Sequence, residues 1–284
     1  MNGPLITVVM PALNAAGTIG EQLAALAAQD TNLPWQLVVV DNGSSDETIA
    51  IAESFRAGLR DLVVTTCSRP GPSAARNLGA RVGSGDLLLY CDADDRVAPG
   101  WVDAMARALQ QADVVGGAFD NDTFNDGAME RHPAGVPVTA GFLPRAITAN
   151  LGVRRSAWSA VGGFAEDYGY GSEDTEFCWR LQVAGYRIGY AEQAVVAYRY
   201  RSSLRAVAVK AYKSGRSRAR LFRDFAPHGM PRPRLTGVAW RWVRIVLTAP
   251  LVPFSVGRRW WWVNESAAAA GRIVGSVRFR VRYL

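Results

Sequence analysis

Histidine and cysteine are scarce in this chain. Two histidines, His132 and His228, leave little material for a histidine-based catalytic centre. The three cysteines, Cys67, Cys91 and Cys178, are odd in number and far apart, with no CxxC pair and no Cys/His cluster. A zinc site and a disulfide scaffold are therefore not expected, and a reducing compartment fits. Lysine is almost missing: of 32 basic residues only Lys210 and Lys213 are not arginine. That bias is what a GC-rich genome gives, so no phosphate recognition is read from it. No GxGxxG follows the first apolar run, which excludes a Rossmann dehydrogenase. The stretch MNGPLITVVMPALN has neither a positive segment nor an apolar run long enough for a signal peptide, so a cytoplasmic protein is expected. No internal repeat is visible.

What is present suits a globular enzyme. The 284 residues allow one large domain or two small ones, and 49% apolar with 20% charged residues are enough for a real core. The net charge of +7 hides an asymmetry. Residues 201–284 hold 18 basic and 2 acidic side chains, a net of +16, whereas residues 1–200 hold 14 and 23, a net of −9. An acidic front part joined to a basic tail implies different partners for the two.

Short apolar runs alternate with helical patterns along the front part. Leu5–Met10, Leu37–Val40, Leu62–Thr65, Leu87–Cys91 and Val114–Phe119 read as strands. Between them 15–28, 73–82 and 99–111 read as helices, with a further helix to about Ala57 that Ser45 is expected to cap. This alternation predicts βαβ units and a parallel sheet. Residues 120–145 read as loop. Helices follow near 156–161 and at 173–184, extended chain at 187–197, and a basic helix at 204–225.

Ligands of such sheets bind at the carboxyl ends of the strands, and polar residues stand there. Asp92-Ala93-Asp94 follows the fourth strand. Carboxylates at i and i+2 can face one hard cation together and leave open positions for water and a diphosphate. The alternative is a solvated acidic loop ahead of a helix. Asp41, ending Val38-Val39-Val40, can accept N–H groups from a nucleobase, or it can close an Asx turn with Asn42-Gly43-Ser44. Arg76, within Ala75-Arg76-Asn77-Leu78-Gly79, can reach a phosphate or a base, or lie on the surface. Glycines at 169 and 171 deliver Glu173, Asp174 and Glu176 to a helix start, where acids also serve as ordinary dipole partners. Asp174 is the candidate general base.

The ordered set Val8-Val9-Met10-Pro11-Ala12-Leu13-Asn14, Val40-Asp41-Asn42-Gly43-Ser44-Ser45-Asp46, Ala75-Arg76-Asn77-Leu78-Gly79, Asp92-Ala93-Asp94-Asp95, Gly162-Gly163-Phe164 and Glu173-Asp174 resembles family 2 glycosyltransferases. It covers roughly residues 5–200. The resemblance implies a GT-A fold, an α/β domain with a Rossmann-like, mainly parallel sheet flanked by helices, here at 1–200. A basic helical extension, 201–284, would follow. It implies an inverting transfer of one sugar from a nucleotide-diphospho-sugar, UDP by default, to a hydroxyl of a glycan or lipid-linked acceptor, as in cell surface polysaccharide synthesis. It places Pro11, Ala12, Asn14, Asp41, Arg76, Asp92 and Ala93 at the nucleotide-sugar. Asp94 with Asp92 would hold Mn²⁺ or Mg²⁺. Asp174 would be the base, and Glu173 would orient the acceptor or support it. Two departures stand out. Many relatives carry a His after the late strand, where this chain reads Val195-Val196-Ala197-Tyr198-Arg199-Tyr200, so Arg199 or Arg201 would have to neutralise diphosphate charge. The Gln-x-x-Arg-Trp run of processive synthases is absent, which favours single transfer.

Five of the nine tryptophans lie between Trp240 and Trp262. Val243–Val256 is apolar but shorter than the ~20 residues that span a bilayer. Arg258-Arg259-Trp260-Trp261-Trp262 looks interfacial. Residues 235–284 therefore read as a monotopic segment on the anionic inner face of the cell membrane, or else as a helical subdomain packing its tryptophans on the core. Three rivals remain: a catalytically degenerate membrane scaffold, a nucleotidyltransferase, and a nucleic-acid binder using the tail. The transferase reading expects no nucleic acid. The nucleotidyltransferase suffers because Pro11-Ala12-Leu13-Asn14-Ala15-Ala16-Gly17 lacks a basic residue.

Overall fold

A computed structural model describes residues 5–59, 61–125, 131–168, 171–201 and 203–284. The chain divides into two compact units: one holds most of the chain up to Tyr200, the other holds 201–284 with two short loop pieces.

The first unit runs β1 (Ile6–Ala12), α1 (Ile19–Ala27), β2 (Trp35–Asp41), α2 (Thr48–Ser54), β3 (Leu62–Thr66), α3 (Pro72–Val82), β4 (Leu87–Cys91), β5 (Arg96–Val97) and α4 (Trp101–Ala108). It continues with β6 (Val114–Asp120), β7 (Val138–Thr139), β8 (Leu143–Pro144), β9 (Asn150–Arg154), α5 (Arg155–Ala160), α6 (Glu173–Val183) and β10 (Ile188–Ala197). The main sheet has the order β3-β2-β1-β4-β9-β6-β10-β5. Its pairs are parallel except where β9 lies between β4 and β6 and where β5 joins β10. The mixed α/β architecture with a mainly parallel sheet is as expected.

The strands read as continuous apolar runs because both faces are covered. Ile6, Val8 and Met10 of β1 join Leu37 and Val39 of β2, Leu23 of α1 and Trp101 and Met105 of α4 in one buried layer. The alternate residues Val9, Val38, Val40, Leu88 and Tyr90 pack on the other face against Ala74, Trp158 and Phe177, from α3, α5 and α6. Helix α3 sits close on β1 because residue 79 is glycine: a Cβ there would come within 2.4 Å of Val9 Cγ1.

Three expectations need correction. Helix α2 starts at Thr48, and Ser45 does not cap it. The Ser45 N–H instead donates to Asn14 Oδ1 at 2.9 Å, and Asp46 Oδ1 accepts from the Thr48 N–H at 3.1 Å. Pro99 lies ahead of α4, which begins after Gly100 in a left-handed conformation, φ 73°. The third correction is β9, which the sequence reading left out altogether.

Asn150 opens β9 in full burial. Its Nδ2 donates to Ala118 O at 2.7 Å and Ala194 O at 2.9 Å, and its Oδ1 accepts from Trp101 Nε1 at 2.8 Å. Ala194 lies in the register shift of β10 between Ala191 and Val195, so Asn150 satisfies a carbonyl that the ladder leaves open. Asn150→Leu strands one N–H and two carbonyls in the core. At about 1–3 kcal/mol per unsatisfied buried group, partly relieved by relaxation, a loss of about 4 kcal/mol is expected in urea unfolding.

The second unit contains α7 (Leu204–Phe225), α8 (Leu235–Thr248) and α9 (Val256–Arg278). Ser203 Oγ accepts from the Ala206 N–H at 3.2 Å and caps α7. Phe222 of α7 meets Tyr283 at 5.3 Å between ring centroids, and the Tyr283 carbonyl accepts from Ser276 Oγ at 2.7 Å. Helix α8 is held to α9 by Trp262 Nε1 donating to Ile245 O at 2.9 Å. Leu235, Trp240, Leu247 and Phe254 remain more than 60% exposed. Among the described residues one stretch, Leu235–Val252, is long and apolar enough to cross a membrane by length and composition.

Candidate active site

The carboxyl ends of β1, β2 and β4 gather the residues singled out in the sequence. Asn14, just beyond β1, is exposed with a left-handed backbone, φ 50°. Its N–H donates to Ser44 Oγ at 2.9 Å, which ties the loop after β1 to the loop after β2. Pro11 and Ala12 end β1, Ala12 buried and Pro11 half-buried. Asp41, 2% exposed, accepts from the N–H groups of Gly43 at 3.0 Å and Ser44 at 3.1 Å. Its carboxylate thus closes an Asx turn, and with further lone pairs available it retains acceptor capacity.

The acidic run after β4 forms one cluster. Asp92, Asp94 and Asp95 each bring a carboxylate oxygen within 4.8 Å of the others. Asp92 is half-buried, Asp94 exposed, and Ala93 and Asp95 buried. The donor set is all hard oxygen, which suits Mg²⁺ or Mn²⁺. Asp95 adds a second sign of fit: its Oδ2 is buried without a hydrogen-bond partner. Burial first, then the charges of Asp94 and Asp92, push the Asp95 carboxyl up to about 9. A divalent cation among these oxygens would reverse that strain. The residues present therefore fit the cation.

Arg199 clamps this loop. Its N–H donates to Asp95 Oδ1 at 2.8 Å and its Nε to Asp94 O at 3.0 Å. Its guanidinium also pairs with Glu21 at 3.2 Å and stacks over Phe124 at 3.9 Å. The arginine that stands where a histidine was expected is thus at the acidic cluster; Arg201 falls in the other unit.

Arg76 of α3 is a buried strut. It is 4% exposed, and it reaches Asp92 Oδ1 at 3.1 Å and Glu173 Oε1 at 3.3 Å. Burial works against its charge, but Asp92 and then Glu173 outweigh it, so the guanidinium is held above its ordinary value. One side chain thereby couples the acidic loop to the first turn of α6. Asp174, next in that turn, accepts from Arg145 Nη1 at 2.9 Å and from the Thr175 N–H at 2.6 Å. Glu176 pairs with Arg180 at 2.7 Å, and Arg180 also donates to Gly163 O at 2.8 Å, fixing the Gly162-Gly163-Phe164 turn on α6. Gly169, one of the two glycines expected to deliver these acids, lies outside the described residues.

Sequence reasoning missed Asp95 as a member of the cluster and Arg145 as the partner of Asp174. The run Asp92–Asp95 signalled the first. Nothing in the sequence signals the second, because Arg145 and Asp174 meet only through the fold. A cleft of about 750 Å³, lined by Leu5, Leu87, Leu109 and Arg155 among others, opens at the amino ends of β1 and β4. It is apolar in character and lies away from the ends where such sheets bind ligands.

Residues 7–161 match Glycosyl transferase family 2, and residues 87–271 match Glycosyl transferase family group 2. The chain belongs to glycosyl transferase family 2. Among curated relatives, the glycosyltransferase AglE of Haloferax volcanii is 29% identical over 201 residues, 68% of this chain and 66% of that protein. The pre-mycofactocin glycosyltransferase of Mycobacterium tuberculosis is 28% identical over 228 residues, 74% of this chain but 46% of that protein. The chain thus spans between 46% and 66% of these relatives' lengths. Among solved structures, the mannosyltransferase PcManGT of Pyrobaculum calidifontis, in complex with GDP-Man and Mn²⁺, superimposes with a TM-score of 0.69 at 19% identity, over 97% of this chain and 88% of that one. Residues 1–349 of S. aureus TarS with UDP give 0.58 at 20% identity, over 98% and 93%. At these identities the likeness is one of fold, and the fold is GT-A.

Proposed function

We propose that this protein is an inverting glycosyltransferase that moves one sugar from a nucleotide-diphospho-sugar to a hydroxyl of a glycan or lipid-linked acceptor. The observation that carries the reading is the coupling of two carboxylate groups through Arg76: the Asp92/Asp94/Asp95 cluster on one side and Glu173-Asp174 on the other. Family membership and neighbours solved with UDP and GDP-Man support the donor class.

In this reading Asn14 and Asp41, with Pro11 and Ala12, line the base and ribose. Asp94 and Asp92, backed by Asp95, hold Mn²⁺ or Mg²⁺, and Ala93 lies against the donor. The cation supplies positive charge for the departing diphosphate. Asp174 takes the proton of the acceptor hydroxyl while that oxygen bonds to the anomeric carbon. The diphosphate leaves from the opposite face with the bonding electron pair, so configuration inverts. Arg145 aims the Asp174 carboxylate, and Arg76 keeps Glu173 and Asp92 at fixed separation. Arg199, whose Nε donates to Asp94 O at 3.0 Å, adds positive charge at the acidic loop beside that of Arg76. Residues 1–200 would carry the chemistry. Residues 235–284, with exposed tryptophans and many arginines, would rest on the anionic inner leaflet, where a lipid-linked acceptor resides.

The test is calorimetric titration of UDP, GDP, dTDP and CDP into the full chain, with and without Mn²⁺. Tight binding of one nucleotide, strengthened by Mn²⁺, is the expected result and sets the donor class. Binding of none would overturn the reading in favour of a degenerate scaffold.

A further inference from the structure

Helix α8 is turned inside out relative to a surface helix of a soluble protein. Such a helix buries an apolar stripe and shows its charges to water. On α8 the residues with reduced exposure are Val238, Arg241, Ile245 and Thr248, which recur at helical spacing and form one stripe. Two members of that stripe meet α9: the Ile245 carbonyl accepts from Trp262 Nε1 at 2.9 Å, and Arg241 pairs with Glu265 at 3.6 Å. Glu265 is the only acid in the sequence after Asp224, and it is engaged by this inward arginine. Arg244, on the flank of α8, stacks over Trp261 of α9 at 4.7 Å. The face opposite the stripe holds Ala239, Trp240, Val243, Val246 and Leu247, all exposed and none charged. Trp240, Val246 and Leu247 are 63%, 66% and 67% exposed, and Phe254, in the turn that follows, is 82% exposed.

We propose that α8 and the turn 249–254 lie in the plane of an anionic lipid leaflet, with the outward face of α8 among the acyl chains. Charge turned inward and apolar side chains turned outward is the pattern that a hydrocarbon surrounding selects. The geometry opposes a span. The 14 residues of α8 are about 21 Å long, short of the ~30 Å hydrocarbon core. After the turn the chain runs back along α8, since Arg244 meets Trp261 and Ile245 meets Trp262. Insertion tip first is opposed by Arg258 and Arg259, which are exposed just beyond the turn. With α8 in the plane, these two and Arg232 and Arg234, exposed just before α8, reach the headgroup phosphates. A second copy of this chain is a poorer occupant, because residues 201–284 carry a net of +16 and two such surfaces repel. This assignment rests on the membrane reading above and gives its apolar part to one helix face.

The test uses the full chain and vesicles of phosphatidylcholine alone or mixed equally with phosphatidylglycerol. The double variant Val246→Ser with Leu247→Ser removes apolar surface from the outward face without changing any charge. Val277→Ser does the same on α9, at a residue 76% exposed. The double variant should bind the mixed vesicles at least about tenfold more weakly than the wild type, from the apolar area no longer buried. Val277→Ser should stay within about twofold of the wild type, because its side chain lies off the inserted face. Both variants should melt as the wild type does, since the altered side chains face away from the protein. A measurement on the wild type alone complements them: phosphatidylcholine brominated along its acyl chains, mixed with phosphatidylglycerol, should quench the tryptophan fluorescence, and Trp240→Phe should reduce that quenching. Mixed vesicles that bind the double variant as tightly as the wild type, with no quenching, would overturn the insertion and leave charge-driven membrane binding standing. A wild type that binds neither vesicle would overturn the membrane reading itself. If that wild type sedimented as a dimer and the double variant as a monomer, the lipid would be replaced by a second copy of the chain.

Discussion

Asp174→Asn is expected to lower kcat by about 10³-fold, in the middle of the range for a lost general base. Binding of the nucleotide and the melting temperature should change little. The asparagine keeps an oxygen that can accept the Thr175 N–H, which donates to Asp174 Oδ1 at 2.6 Å, so that contact in the first turn of α6 is kept. What is lost is the proposed proton acceptor and the charge that faces Arg145 at 2.9 Å. Both side chains keep some solvent contact, 26% and 15% exposed, so losing the pair costs little stability. Steady-state kinetics, calorimetry of the nucleotide and a thermal melt separate the three quantities. Near wild-type turnover would remove Asp174 from the reaction. Glu173 is not an equivalent stand-in, because its carboxylate is directed at Arg76 at 3.3 Å and its side chain is 9% exposed. A variant that binds nucleotide normally yet does not turn over is the signature of a group acting on the acceptor alone.

The parts of this molecule that could be read from sequence are those in which local pattern and tertiary position agree. Each of β1, β2 and β4 is dominated by apolar residues because it is buried on both faces, and a polar residue (Asn14, Asp41, Asp92) stands at its end or just beyond, where the chain leaves the sheet. Asp41, Asp92 and Asp94 were found by that rule. Strand β9 defeats it. Asn150-Leu151-Gly152-Val153-Arg154 carries a buried amide, a glycine and an arginine in five positions, and it runs antiparallel between two parallel neighbours. The glycine is there for space: a Cβ at 152 would lie 3.0 Å from Val115 and 3.1 Å from Leu89. The amide is there for the carbonyls of β6 and β10. Neither reason is local, so no period or propensity shows it. The same holds in the site. Arg76 and Glu173 are 97 positions apart and Arg145 and Asp174 are 29 apart, so their pairing exists only once the sheet has formed. Ser45 shows the reverse error: a residue with every local mark of a helix cap is drawn instead to Asn14, across two loops.

Asp94→Asn is the complementary experiment, and its expected effect lies on binding as well as on turnover. Of the three clustered acids Asp94 is the exposed one, whereas Asp92 is tied to Arg76 at 3.1 Å and Asp95 is buried beside Arg199. Asp94 is therefore the proposed ligand that can be altered without disturbing the strut or the loop clamp. Removing its charge should abolish most of the Mn²⁺-dependent gain in nucleotide diphosphate affinity while leaving metal-free affinity unchanged. Turnover should fall by at least about 10²-fold, the usual cost of losing one electrostatic stabiliser of developing charge. Calorimetry with and without Mn²⁺, together with kinetics across Mn²⁺ concentrations, measures both. A full Mn²⁺ response in the variant would place the cation elsewhere. The contrast with Asp174→Asn is the stronger test, because the two acids stand on opposite sides of Arg76 and are assigned to opposite ends of the reaction. Asp94 is assigned to the departing diphosphate and Asp174 to the arriving hydroxyl. Loss of metal-dependent binding should follow only the first substitution, and loss of turnover should follow both. If both variants changed nucleotide affinity alike, the common cause would be displacement of Arg76, and the division of labour between the two carboxylate groups would fail.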